Sequence, residues 1–314
     1  MKIQQLRYLV EVSKQGLNLS VAAEKLHTSQ PGISKQIRLL EDELGVEIFV
    51  RNGKRVVAIT PPGVAILEIA ERILHETENL KQAAEDFSNQ DAGTLTIATT
   101  HTQARYALPA VIKQFSQRYP RVKLGLIQGS PVQICQFAIS GQADFCIATE
   151  AISNFDELVM LPCYGWNRCV IAPPDHPILK KKSLTIEEIA RHPIITYDFA
   201  FTGRSQINRA FEAKGLKPNV VLTAIDSDVI KTYVSLGLGI GILAKMAFDP
   251  EQDKNLRAMD ASHLFESSTT RIGIPRKAYL RGYIYDFIEM FAPQLSRKVV
   301  DDAVHGKPKI DYDM

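Results

Sequence analysis

No two cysteines in this chain are close enough in sequence to pair around a metal. Cys135, Cys146, Cys163 and Cys169 contain no CxxC spacing, which argues against a zinc site. Long apolar runs are missing too, since none approaches the ~18–20 residues that span a bilayer. The opening MKIQQLRYLVEV has neither the apolar core nor the small-residue cleavage site of a secretory signal. The expectation is a cytoplasmic protein without a membrane partner, whose cysteines are reduced, buried and structural. Neither sign of charge dominates, with 37 Lys and Arg against 35 Asp and Glu. No nucleophilic triad, metal-ligand cluster or phosphate loop stands out. These absences speak against an enzyme and against a resident metal or cofactor.

The residues present suit a globular protein of two or three domains. The 314 residues are 45% hydrophobic and 23% charged, an ordinary balance with enough chain for a sizeable core. The distribution of charge says more than its total. Residues 1–60 carry nine Lys/Arg against six Asp/Glu, and residues 61–88 carry two against six. A basic head followed by an acidic segment fits nucleic-acid binding at one end.

Within the head, Leu6, Leu9 and Val10 share one face of a first helix. Ser20 is placed to cap a short second helix, VAAEKL. His27 to Gly32 makes a turn, where Thr28 or Ser29 can cap and Pro31 is tolerated in a first helical turn. The third helix is expected to bury Ile33, Ile37, Leu40 and Leu44, at steps of four, three and four. Its other face shows Ser34, Lys35 and Arg38, with Gln30 and Pro31 at the tip. A small hydroxyl, an amide and cations suit base edges and phosphates. VEIFVRNGKRVVAITPPG then reads as two short strands around Asn52-Gly53, with Arg51, Lys54 and Arg55 placed to touch flanking backbone. The bland alternative is a solvated helix beside a basic hairpin. The order of elements favours a helix-turn-helix with a wing.

The stretch SQPGISKQIRLLEDELGVEIFVRNGKRVVAITPPG resembles the N-terminal signature of LysR-type transcriptional regulators. The resemblance implies an all-α-type winged helix-turn-helix DNA-binding domain over residues 1–59. It also implies that Gln30, Pro31, Ser34 and Lys35 face the major groove of promoter DNA. Gly32 replaces the alanine more usual there, which loosens the first turn.

From Pro61 to about Phe87 runs one long helical pattern. Ile66, Ala70, Ile73, Thr77, Leu80, Ala84 and Phe87 recur at alternating steps of four and three, a heptad seam. Residues 60–92 are read as a linker and dimerisation helix with a hinge at NQDAG, giving a homodimer. Packing of that seam on the chain's own body is the alternative.

Residues 93–314 alternate strand and helix in two successive units, the mark of largely parallel sheets covered by helices. This pattern implies two α/β lobes with a cleft between them. Ligands in such sheets collect at strand C-terminal ends and helix N-termini. Three places there are rich in hydroxyls: Thr99, Thr100, Thr102 and Gln103; Thr149-Glu150; and Phe201-Thr202-Gly203-Arg204-Ser205. Ordinary capping explains any one of them. Three at one edge favour an uncharged pocket for a small anion. Gly237-Leu238-Gly239-Ile240-Gly241 is not read as a dinucleotide motif, because it follows a helix and precedes a strand; Gly237 is expected to end that helix as a left-handed cap.

This second part also resembles LysR-type regulators, which implies an α/β two-lobed effector domain of the type 2 periplasmic-binding-protein fold. Lobe I is expected over about 93–162 and 268–292, and lobe II over about 163–267. IATTHTQARYALP, QGSP, LVMLPCYGWNR, FTGRS and DSDVIKTYVSLGLGIGI are similar to members that govern cysteine biosynthesis or sulfur-starvation genes. That likeness implies an activator induced by O-acetylserine or N-acetylserine and opposed by sulfide or thiosulfate. It further implies a pocket of Thr100, Thr102, Gln103, Thr149 and Thr202 for the inducer or an anion such as sulfate, with Trp166 beside the cleft, and a homotetramer acting with RNA polymerase. A regulator answering another small acid and a solute-binding protein are the rival readings. The basic head and the missing secretory signal count against the second.

Overall fold

A computed structural model of the chain describes residues 1–53, 55–86, 92–149, 155–198 and 204–306. Two compact units emerge, one built on Met1–Ser88 and the other on Asn89–Ile139 and Ala143–Met314.

The first unit begins with helices α1 (Ile3–Lys14), α2 (Leu19–Lys25) and α3 (Gln30–Leu44). Asn18 rather than Ser20 caps α2, accepting from the backbone N–H groups of Ser20 and Val21 at 3.1 and 3.3 Å. Ser29 caps α3, its Oγ 3.2 Å from the Gly32 nitrogen, with Pro31 in the first turn. Gly45 ends α3 at φ 70°, the left-handed cap that glycine favours. Ile33, Ile37 and Leu40 enter the head's core as expected, but Leu44 is 41% exposed. The last buried position of α3 is instead Glu41, which anchors the hairpin beyond the helix.

The antiparallel hairpin β1 (Phe49–Asn52) and β2 (Arg55–Ile59) forms the wing, with Asn52 still paired to Arg55 and a bulge at Val50/Arg51. Gly53, at φ 62°, starts the turn. Helix α4 (Pro61–Asp86) then leaves the wing. A Cβ at Gly63 would lie 2.2 Å from the Ile48 carbonyl oxygen, so glycine lets the helix start against the wing. The heptad seam divides. Leu67 and Ala70 are buried in the head's core, with Ile66, Ile73 and Leu74 packed on it. Leu80 is 75% exposed and Ala84 is exposed; Phe87 lies outside the described residues. Packing on the chain's own body therefore holds for the first half of the helix.

The second unit comprises β3 (Ala92–Thr99), α5 (Leu108–Arg118), β4 (Arg121–Gln128), α6 (Pro131–Ile139), β5 (Phe145–Thr149) and β6 (Leu158–Trp166). It continues with β7 (Arg168–Ala172), α7 (Ile186–Ile189), β8 (Ile194–Tyr197), α8 (Arg204–Glu212), β9 (Val220–Ala224), α9 (Ser227–Ser235), β10 (Ile240–Ala244) and β11 (Arg257–Asp260). It closes with β12 (Ser268–Pro275), α10 (Gly282–Phe291) and α11 (Arg297–His305). A π-helical turn, Gln103–Ala107, precedes α5.

Two five-stranded sheets result, ordered β4-β3-β5-β12-β6 in lobe I and β11-β7-β10-β8-β9 in lobe II. Strands β3, β4 and β5 are mutually parallel, as are β8, β9 and β10. Runs such as FCIAT and IGILA are buried throughout, as sheets covered on both faces require. The first crossing between lobes falls at Asn167, later than the expected Pro162, because β6 stays paired with β12 up to Trp166 opposite Ser268. Lobe I also extends past residue 292, since Val300 and Val304 of α11 belong to its core.

The glycine motif has a purely structural account. Gly237 sits at φ 81°, and the Gly237 and Leu238 N–H groups close on Val234 and Tyr233 to end α9. A Cβ at Gly241 would meet Ile171 at 2.6 Å.

Candidate functional site

The first candidate surface is the tip of α3 with the wing. Pro31, Lys35 and Arg38 are exposed, and Gln30 and Ser34 are half-buried. The α3 cap fixes this tip, because Ser29 satisfies a first-turn amide and Ile33 and Ile37 anchor the opposite face. A groove lined by Asn18, Ser20, Gln30 and Arg55 runs beside it. Asn18 and Ser20 were not expected on this surface; Asn18 caps α2 two positions before the expected Ser20. Lys54 lies outside the described residues.

Arg51 departs from expectation. Its Nη2 lies 2.7 Å from Glu41 Oε2, and that side chain is only 7% exposed. Glu41 Oε1 also accepts from the Ile48 and Phe49 N–H groups at 2.8 and 3.1 Å. The bulge at Val50/Arg51 re-aims the side chain toward α3. Arg51 therefore fixes the wing to the helix, and among the described residues the outward cation of the hairpin is the exposed Arg55.

The second candidate is a cavity in the effector unit lined by Thr100, His101, Thr102, Gln103, Thr149 and Trp166 from lobe I, with Tyr197, Ile225 and Ala244 from lobe II. Thr149, Tyr197 and Ala244 each end a strand, so the cavity sits at the C-terminal edge of both sheets. Thr100, Thr102, Gln103 and Thr149 thus come together as expected. Thr202 lies outside the described residues. Thr99 does not join them, because its hydroxyl donates to the Ile147 carbonyl inside the sheet at 3.1 Å.

The lining groups differ in what they can still offer. Gln103 is committed to lobe I: its Nε2 donates to Thr270 Oγ1 at 3.2 Å and its Oε1 accepts from Tyr164. Across the cavity from Thr102, the Tyr197 hydroxyl shares a 2.6 Å bond with Ser227 Oγ. Burial pushes the Tyr197 phenol upward, so it stays protonated. The buried Trp166 indole N–H and His101 Nδ1 find no hydrogen-bond partner among the described residues. Buried polar atoms are seldom left so, and both belong to residues lining the cavity. It is a small cavity lined mainly by hydroxyl, amide and aromatic groups.

Beside the cavity, Asp228 of α9 draws three lobe I side chains. Tyr106 donates to its Oδ1 at 2.6 Å, while His101 Nε2 and Arg105 Nε stand 3.8 and 3.7 Å from Oδ2. Lys231 lies 3.2 Å from the same carboxylate. His101, Asp226 and Asp228 have the spacing of cation ligands, but Arg105 and Lys231 already compensate Asp228 and Asp226 caps Val229.

Comparisons with known proteins agree with this division. The family model for the LysR substrate binding domain matches residues 88–296. That for bacterial regulatory helix-turn-helix proteins of the lysR family matches residues 3–64. The HTH-type transcriptional regulator CysB of Burkholderia cenocepacia is 53% identical over 307 residues, covering 98% of each chain. The regulator SsuR of the same organism is 55% identical over 296 residues, covering 94% of this chain and 96% of that one. The crystal structure of the cofactor-binding domain of the Cbl transcriptional regulator superposes with a TM-score of 0.67 at 45% identity. It covers 70% of this chain and 96% of that one.

Proposed function

The chain belongs to the LysR family of transcriptional regulators, and from that premise we propose that it is a CysB-like activator of cysteine-biosynthesis and sulfate-assimilation genes, induced by acetylserine. It is a regulator and not an enzyme, with a DNA-binding head and a ligand-binding effector domain. The finer reading assigns Gln30, Pro31, Ser34 and Lys35 to bases, and Arg38, Lys54 and Arg55 to phosphates. A homodimer forms through α4, two dimers assemble into a tetramer, and RNA polymerase is engaged at promoters in the cytoplasm.

The observation that carries the inducer assignment is the pocket. Thr100, Thr102 and Thr149 surround it, and among the described residues none that lines it is Lys or Arg and none takes the Trp166 N–H. Neutral donors at strand ends suit a small anionic or acyl group. Thr202 completes this set in the proposal. Ligand binding shifts the lobe equilibrium only through unequal affinity for the two arrangements.

The test pairs two measurements. Thermal unfolding with N-acetylserine and O-acetylserine is expected to show a rise in Tm, corresponding to about 2.7 kcal/mol at a hundredfold excess over Kd. Binding to sulfate-assimilation promoter fragments at one stated salt concentration is expected to change when the same ligand is added. A rise in Tm confined to another small acid, or indifference to duplex DNA at low salt, overturns the reading. The second reading, a regulator of sulfur-starvation or sulfonate-use genes, is favoured by the 55% identity to SsuR. Preference for those promoters decides for it.

A further inference from the structure

We infer that Arg168 is a positioning residue that links occupancy of the effector pocket to the angle between the lobes; this rests on the pocket reading above. Arg168 stands at the first crossing between lobes and is 1% exposed. Its Nη1 donates to the Glu266 carbonyl at 2.9 Å, and its Nη2 donates to Ser268 Oγ at 2.9 Å. Both acceptors belong to the second crossing. Ser268 Oγ in turn donates to Gln206 Oε1 at 3.1 Å, on α8 of lobe II. The guanidinium carbon lies 5.0 Å from the centroid of the Trp166 ring, which lines the cavity.

One planar group thus touches a pocket wall, both crossings and, through Ser268, the second lobe. Only arginine combines a flat face that stacks on indole with a fork that reaches two acceptors. Burying a charge is costly unless its donors are used, and here two of them serve the second crossing. A ligand that takes the Trp166 N–H fixes the ring, and the guanidinium over it passes that restraint to the Glu266 and Ser268 strand. Lysine can supply the charge but neither the stack nor the fork.

Trp166 is the single tryptophan of the chain, so intrinsic fluorescence reads this ring alone. All four cysteines are buried, which leaves spin labels at Lys113→Cys in lobe I and Lys217→Cys in lobe II selective. Both lysines are exposed. Full-length protein, Arg168→Lys and Ser268→Ala are titrated with N-acetylserine and with sulfate, following fluorescence, melting temperature and inter-lobe distance. The expected result is that each variant still binds, with Kd changed less than about tenfold, while the ligand-driven change in distance falls by half or more. Ser268→Ala keeps the test open if Arg168→Lys does not fold. Variants that melt earlier yet keep the full distance response show a merely structural role and overturn the inference alone. An unsubstituted protein that answers neither probe overturns the pocket reading, and the inference with it.

Discussion

Asp228 shows how much of the effector unit's geometry can rest on one side chain. It collects Tyr106, His101 and Arg105 from lobe I while sitting on α9 of lobe II. Burial works against its charge, but the hydrogen bonds from Tyr106 and Lys231 outweigh burial and hold the carboxyl below its ordinary value of 3.8. Burial and the Asp228 bond push the Tyr106 phenol up to about 12, so it remains a donor at any physiological pH. A carboxyl with a depressed folded-state pKa binds fewer protons folded than unfolded. Its stabilisation is therefore present above the ordinary carboxylate range and is lost as pH falls through the folded value. Asp228→Asn is expected to lower the melting temperature of the effector unit at neutral pH. The difference from the unsubstituted protein should shrink as pH drops below about 4. A constant difference down to pH 3 would assign Asp228 no ionic role. The hydroxyls of Thr100, Thr102 and Thr149 were legible in the sequence because strand ends and helix starts announce themselves locally. The Tyr106–Asp228 link was not, because it joins residues 122 apart. Glu41 was not legible either: it is the buried partner of Arg51, ten residues further along the chain and on another element.

Among elements, α4 is the one whose pattern served two purposes at once. Its apolar stripe is wide enough for Leu67 and Ala70 to enter the head's core while Leu80 stays open. Lys14–Glu71 and Arg7–Glu78 lie along the α1 side at 4.0 and 3.9 Å, exposed contacts worth little energy. A heptad read by eye merges the covered and uncovered halves, since both repeat at steps of four and three; only the placement of α1 separates them. The uncovered half is where a second copy gains most. Burying one leucine contributes about 1.5–3 kcal/mol, and a symmetric dimer uses it twice. Leu80→Asp is expected to weaken self-association by 100-fold or more in sedimentation experiments, with the head's melting unchanged. Ala70→Asp should instead unfold the head, because it forces a charge into the packed α1–α4 contact. A Leu80→Asp protein that remains dimeric at micromolar concentration would move the dimer contact elsewhere. The GLGIG run shows the opposite case, where context settled the reading. Its position after a helix and before a strand was visible in the sequence, and Gly237 does end α9.

At the scale of the whole molecule, the total charge of +2 conceals two units with different chemistry. The head closes its own core from α1, α2, α3, the wing and the first half of α4. The effector unit holds four further core clusters, on both faces of its two sheets. Separate cores allow one function to be removed without the other. Thr102 tests this directly, since it lines the cavity. Thr102→Phe puts a ring into this small cavity, which blocks an inducer and costs stability by overpacking, about 1–3 kcal/mol. The expected phenotype is loss of the rise in melting temperature with N-acetylserine, alongside DNA affinity within about threefold of the unsubstituted protein. The slope of log K against log salt should not move either, because it counts phosphates contacted by the head, about 0.9 per phosphate. Loss of DNA binding together with the ligand response would mean that the pocket is required to build the reading surface rather than to direct it. A shallower salt slope would mean that the closed cavity sets how many phosphates the paired heads reach.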